Sequence, residues 1–198
     1  FKGHESTGFG GAIKNLGMGC GSRAGKMEMH SSGKPQVDQD RCVGCSECRR
    51  NCAHDAITIE NHKAFIDHNK CVGCGRCIGA CPKDATHPTG DNTNEVLNCK
   101  MAEYALAVVN YRPQFHVCLV QDVSPCCDCH GCNDTPILPD IGMFTSFDAV
   151  AIDQACADAC LAATPITKNT RLEEMTHLGE DPFINSHPIS EWRSQLIH

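Results

Sequence analysis

The chain has 198 residues, 17 of them cysteine, and a formal charge of −7. An odd cysteine count excludes full disulfide pairing within the chain, and the length is large for a disulfide-stapled secreted domain. The acidic balance argues against nucleic acid as a partner, and no apolar run approaches the roughly 18 residues of a membrane span.

Residues 1–34 are rich in glycine, serine and basic side chains. Backbone amides of such a segment can approach an anion, and His4, Lys14, Arg23 and Lys26 add polar and basic groups, which makes them a candidate site for a phosphate, carboxylate or cofactor. The P-loop order is absent. The competing reading is a tightly folded segment that packs with the tail. Position 1 is Phe, so the chain reads as a fragment or a processed form.

Residues 35–88 contain an internal repeat. Asp40-Arg41-Cys42-Val43-Gly44-Cys45 returns 29 residues later as Asn69-Lys70-Cys71-Val72-Gly73-Cys74, and Cys48, Cys52 and Asp55-Ala56 return as Cys77, Cys81 and Asp84-Ala85. An offset that never slips implies an internal pseudo-two-fold. Ile57-Thr58-Ile59 and Ala64-Phe65-Ile66 read as two strands, with a turn over residues 60–63.

Each copy spaces its cysteines as Cys-x2-Cys-x2-Cys-x3-Cys, the run that holds [4Fe–4S] clusters in bacterial two-cluster ferredoxins. Three cysteines at two-residue gaps wrap one cubane, and the fourth starts a segment that leads to the other. This gives Cys42, Cys45, Cys48 and Cys81 for cluster one, and Cys71, Cys74, Cys77 and Cys52 for cluster two. Structural zinc uses paired cysteines across a longer spacer, which this run does not match. Two oxidised clusters would bring the charge to about −11, which favours redox protein partners with basic patches.

Residues 89–198 alternate. Asn94 to Asn110 has helical apolar spacing, with Asn94 or Thr93 as cap. Phe115 to Val120 reads as a buried strand, and Ile137 to Phe144 as another. Asp148 to Ala163 reads as a small-residue helix, Thr170 to Leu178 as a short amphipathic one, and Ser190 to Ile197 as a terminal helix with Trp192 turned inward. Between the strands lies Cys126-Cys127-Asp128-Cys129-His130-Gly131-Cys132. Cys127, Cys129 and Cys132, with Cys20, Cys126 or His130 as fourth ligand, are candidates for a third metal centre, zinc or iron–sulfur. Free thiols or a redox disulfide are the alternative. Cys156 and Cys160 lie one helical turn apart and read as core packing.

KGHESTGFGGAIKNLGMGCGSRAGK, the cysteine repeat, the CDC of Cys127-Asp128-Cys129 and PDIGMFTSFDAVAIDQAC together resemble the iron–sulfur family named domain of unknown function 362. The resemblance implies two [4Fe–4S] clusters, little about a reaction, and shared polar residues at His4, Lys14, Asn15, Arg23, Lys26, Asp140 and Asp153. The cysteine-rich loop has more cysteines than the family loop usually shows.

The expected fold is α/β (α+β overall), with a bacterial 2[4Fe–4S] ferredoxin-like unit at 35–88 inserted between the Gly-rich segment and an α/β tail. The expected function is a relay of single electrons between protein partners. The alternative is an oxidoreductase that uses the Gly-rich basic segment as an anionic substrate or cofactor site beside the clusters. Free thiolates and clusters fit a reducing, oxygen-poor setting, so the expected location is the cytoplasm of an anaerobe.

Overall fold

The computed structural model describes residues 1–30, 34–71, 73–87, 93–127, 134–173 and 180–198. These form helices and small two-stranded antiparallel sheets, a mixed class. The chain divides into two compact units: Phe1–Cys20 together with Asn94–His198, and Gly21–Thr93. Residues 1–20 of the Gly-rich segment thus belong with the tail, whereas Gly21 to His30 belong to the cysteine-rich unit. Among the described residues no helix is long and apolar enough to cross a membrane.

In the first unit, β1 (Lys2–His4) pairs with β2 (Gly8–Gly10), Gly3 opposite Phe9. The turn between them is closed by His4, whose buried Nδ1 accepts the amides of Ser6 and Thr7 at 3.1 Å. Phe9 is fully buried and carries the rings of Phe183 and Trp192 at 5.7 and 5.5 Å. α1 (Ala12–Lys14) follows and runs into a π-helical turn, Asn15–Gly19. Its first amides are unpaired within the helix. Asp153, from far along the chain, accepts them instead: Ala12 N–H at 2.6 Å and Ile13 N–H at 2.9 Å.

The tail continues with α5 (Asn94–Val109), which packs against the π-helical turn, then β7 (His116–Val120) and β8 (Gly142–Ser146). β7 and β8 pair antiparallel, Cys118 opposite Phe144. α6 (Ala149–Ala162) packs on this pair. Asp148 caps α6 by accepting the amides of Val150 and Ala151, the expected role of Asp at an N-cap. The buried residues Ile152, Cys156, Ala157 and Cys160 form one stripe along the helix, so both cysteines sit in the core, beside Val120, Val123, Ile137 and Leu138. α7 (Pro182–Ser186) starts on Asp181, which accepts from Phe183 and Ile184 and also from Trp192 Nε1 at 2.9 Å. α8 (Ser194–Ile197) ends the chain.

Several expected boundaries move, and β7, expected as a buried strand from Phe115, begins at His116 and is half-buried, with Val117 56 % and Leu119 52 % exposed. β8 begins at Gly142, not Ile137, because Ile137 and Leu138 are buried without belonging to a strand. The terminal helix begins at Ser194, since Trp192 is held in its preceding loop by Asp181. Residues 171–173 are turn, and 174–179 of the expected short helix lie outside the described residues.

The second unit contains α2 (Arg23–His30), β3 (Gln36–Val37), α3 (Glu47–Arg50), β4 (Ile57–Glu60), β5 (Lys63–Ile66), α4 (Arg76–Ala80) and β6 (Thr86–His87). β4 and β5 form the expected hairpin, turning at Asn61 and His62. The 29-residue offset of the sequence persists in three dimensions. Val37 pairs with Thr86 and Ile66 with Ile57, each position shifted by the offset. Asp38 N–H donates to Ala85 O, and Asp67 N–H to Ala56 O, both at 2.7 Å. Lys63 Nζ donates to Gln39 O at 2.5 Å, and Lys34 Nζ reaches His68 O in the same way. The repeat therefore starts upstream of the cysteines, near Lys34. Each sheet takes one strand from each half.

Candidate metal centres

Two cysteine-lined recesses lie in the second unit. Cys42, Cys45, Cys48 and Cys81 line the first, with Gly44, Ala64, Lys83 and Thr86, in a volume of about 320 Å³ including its open mouth. Cys71, Cys74, Cys77 and Cys52 line the second, of about 330 Å³, with Pro35, His54, Ile57, Ile66 and Arg76. Each recess takes three cysteines from one half and the fourth from the other. Among the described residues no three His, Cys, Asp or Glu side chains close up as ligands of a single ion.

Local structure places these sulfurs. Cys48 lies on α3 and Cys77 on α4, both buried, and the two short helices pack together. Main-chain amides point at sulfur: Ala64 N–H donates to Cys42 Sγ and Ala85 N–H to Cys81 Sγ, both at 3.3 Å. Lys63 Nζ ties down the loop by donating to Cys42 O at 2.8 Å. Burial raises the Cys48 thiol, and the negative charge of Cys42, Cys45 and Cys81 raises it further. Burial, with Cys71, Cys48 and Cys74 around it, pushes Cys77 up to about 12. Burial also acts on Cys81, but the amides of Lys83, Thr86 and Ala85 outweigh it and hold the thiol below its ordinary value. Four thiolates so placed repel one another unless something cationic lies between them.

Gly44 shapes the first recess. Its φ is +67°, and a Cβ there would lie 2.4 Å from the His62 carbonyl oxygen in the hairpin turn. Gly73, its equivalent at φ +79°, would meet nothing within 4 Å among the described residues. Gly44→Ala is therefore expected to cost at least about 2 kcal/mol and Gly73→Ala about 1, the left-handed penalty alone. Thermal unfolding of the two variants measures the difference.

The other candidates are divided between the two units. His4 and Lys14 belong to the first unit, Arg23 and Lys26 to the second. Lys14 Nζ donates to the buried Cys127 Sγ at 3.5 Å. Arg23 pairs with Asp84 at 3.3 Å on the surface, and Lys26 is exposed. Cys126 and Cys127 face different partners, since Cys126 Sγ is 3.6 Å from Arg171 Nη1 and 3.8 Å from His187 Nε2. Cys20 is exposed. Asp128, Cys129, His130 and Cys132 lie outside the described residues. Of the polar residues shared with the resembled family, Asp153 caps α1, His4 closes a turn and Asp140 accepts Asp122 N–H at 3.0 Å. Asn15 is exposed on the π-helical turn. The cap at Asp153 carries no sequence signal, because its helix lies about 140 positions upstream.

The class is that of a mixed α and β chain whose middle unit is duplicated, with a four-cysteine recess spanning the two halves at each end of the duplication. A family model described as domain of unknown function, DUF362, matches residues 1–158. The chain belongs to that family. No curated protein matches it.

Proposed function

We propose that Gly21–Thr93 is a ferredoxin-like unit that holds two [4Fe–4S] clusters and relays single electrons between protein partners. One observation carries this reading: eight cysteines at ferredoxin spacing line two separate recesses, four to each, with the fourth ligand crossing between halves. The donor set fits the group. Four crowded, partly buried thiols are costly as thiolates, and a cationic iron–sulfur core among them removes that cost. Bound there, such a centre supplies one-electron outer-sphere transfer. The residues of the chain do the rest. Cys42, Cys45, Cys48 and Cys81 hold one centre, and Cys71, Cys74, Cys77 and Cys52 the other. The amides of Ala64 and Ala85 donate to ligand sulfurs, which raises the potential of the first centre. Cys48 and Cys77 sit on α3 and α4, which pack together, so the two sites are neighbours. The many free thiols fit a reducing compartment such as the cytoplasm.

Anaerobic reconstitution tests the reading. About eight irons and eight sulfides per chain are expected, with a cubane signal by electron paramagnetic resonance after dithionite reduction. Zinc in their place, or no reducible signal, sinks it. About twelve irons would bring the cysteine-rich loop in as a third centre.

A further inference from the structure

The two halves of Gly21–Thr93 correspond position by position, and one face breaks the correspondence. α2 packs on α4. Ile78 of α4 is buried there. A Cβ on Gly75 would lie 3.0 Å from Ala24 O, and one on Gly79 3.5 Å from Ala24 N. Glycine at both positions lets α2 come this close. In the other half the positions of Ile78 and Gly79 are taken by Arg49 and Arg50, both exposed on α3. The second site therefore has α2 against its loop and helix, and Arg23 of α2 also pairs with Asp84, beside Lys83 of the first recess. Of the eight cysteines, Cys45 alone is exposed, and the neighbouring Val43 is 55 % exposed.

Charge distinguishes this rim from the rest of the chain. Residues 21–93 have ten basic and nine acidic side chains, net +1; the remaining residues have seven basic and fifteen acidic, net −8. Lys83 lines the first recess, Lys63 and Arg50 donate to the carbonyls of Cys42 and Cys45, and Arg41 and Arg49 are chain neighbours of Cys42 and Cys48, against Asp40, Glu47 and Asp84. Arg50 straddles the loop, donating to Cys45 O at 3.1 Å and pairing with Glu47 at 2.5 Å. The net charge of this rim, +2, offsets the charge of about −2 on a four-thiolate centre. A carboxylate-bearing surface can come up to Cys45 without the repulsion it would meet across the acidic unit.

We infer that the Val43–Cys45 rim with Arg49 and Arg50 is the port through which electrons are exchanged, and that it takes a one-electron carrier presenting an acidic patch. This revises the partner expected from total charge, which had a basic patch. The inference rests on the two-cluster reading.

The test uses the reconstituted full chain and two small one-electron oxidants, anionic iron(III)–EDTA and cationic hexaamminecobalt(III). Each accepts one electron from the dithionite-reduced protein, with no proton or bond change. At about 0.1 M ionic strength only charges within about 10 Å of the encounter count. Reversing both arginines (Arg49→Glu with Arg50→Glu) is expected to slow the anionic reagent about tenfold and speed the cationic one. Lys26→Glu on the exposed side of α2 should change either rate less than twofold. If Lys26→Glu matches or exceeds the arginine pair, the port is not at the first site and the inference fails. Electron paramagnetic resonance on each sample keeps the two claims apart. A wild-type chain without clusters ends the two-cluster reading, whereas intact clusters with no charge dependence end only the port. Should the double reversal fail to load clusters, the pair Arg49→Gln and Arg50→Gln carries the test, with the same direction and a smaller change; an unchanged rate there overturns the port.

Discussion

Replacing Cys52 by serine is expected to empty the recess formed by Cys71, Cys74 and Cys77, and to leave the one formed by its sequence neighbours Cys45 and Cys48 loaded. Iron should fall from about eight to about four per chain, with one cubane signal remaining. Cys81→Ser is the mirror case and should empty the recess of Cys42, Cys45 and Cys48. The crossing follows from the linings, where Cys52 joins the second recess and Cys81 the first. Cys48→Ser is the internal comparison, since it touches the first recess from within the same half. If Cys52→Ser and Cys48→Ser abolish the same signal, the crossed arrangement is wrong. Iron and sulfide analysis beside the paramagnetic spectra decides it.

The other large effect lies in the first unit. Asp153 is fully buried and satisfies two amides at the start of α1. Asp153→Ala leaves the buried Ile13 amide and the part-buried Ala12 amide without this partner, at roughly 1–3 kcal/mol for a buried donor, so a loss of about 2 kcal/mol or more is expected in denaturant unfolding. The same residue gives a pH dependence of known sign. Burial, only partly countered by the Ile13 and Ala12 amides, raises its pKa from 3.8 to about 6. The folded state therefore holds this proton more tightly than the unfolded state does. The stabilisation from that proton is complete below about pH 4 and is lost as pH rises through about 6, amounting to about 3 kcal/mol across the window. Between pH 5 and 8 the wild type should lose stability relative to Asp153→Asn, with the change ending just above pH 6. A difference between the two that rises with pH would refute the assignment.

Much of the second unit is legible because its signals are local or repeated. The cysteine spacing, the hairpin from Ile57 to Ile66 and the 29-residue offset are all written within short windows, and the register of both sheets follows the offset. α5 is readable from its helical apolar spacing and α6 from its run of small residues. What stayed hidden depends on distant partners. β1 and β2 are only three residues each and are glycine-rich, so no alternation could announce them. α1 owes its start to Asp153. Ile137 and Leu138 look like a strand because they are apolar, yet they fill the core from a loop. The Arg49–Ile78 and Arg50–Gly79 differences were visible in the repeat as plain mismatches. Only the packing of α2 on α4 gives them a meaning.

The interleaving of the two halves also bears on how the protein is made. β3, near residue 36, finds its partner only in β6, near residue 87, and each four-cysteine set draws its last member from the other half. A chain emerging from the ribosome cannot frame the first site until nearly the whole unit has been synthesised. Both sites then become competent together, over a span of a few residues. On the two-cluster reading proposed above, iron and sulfide would find no complete set of four cysteines before Cys77 and Cys81 are made.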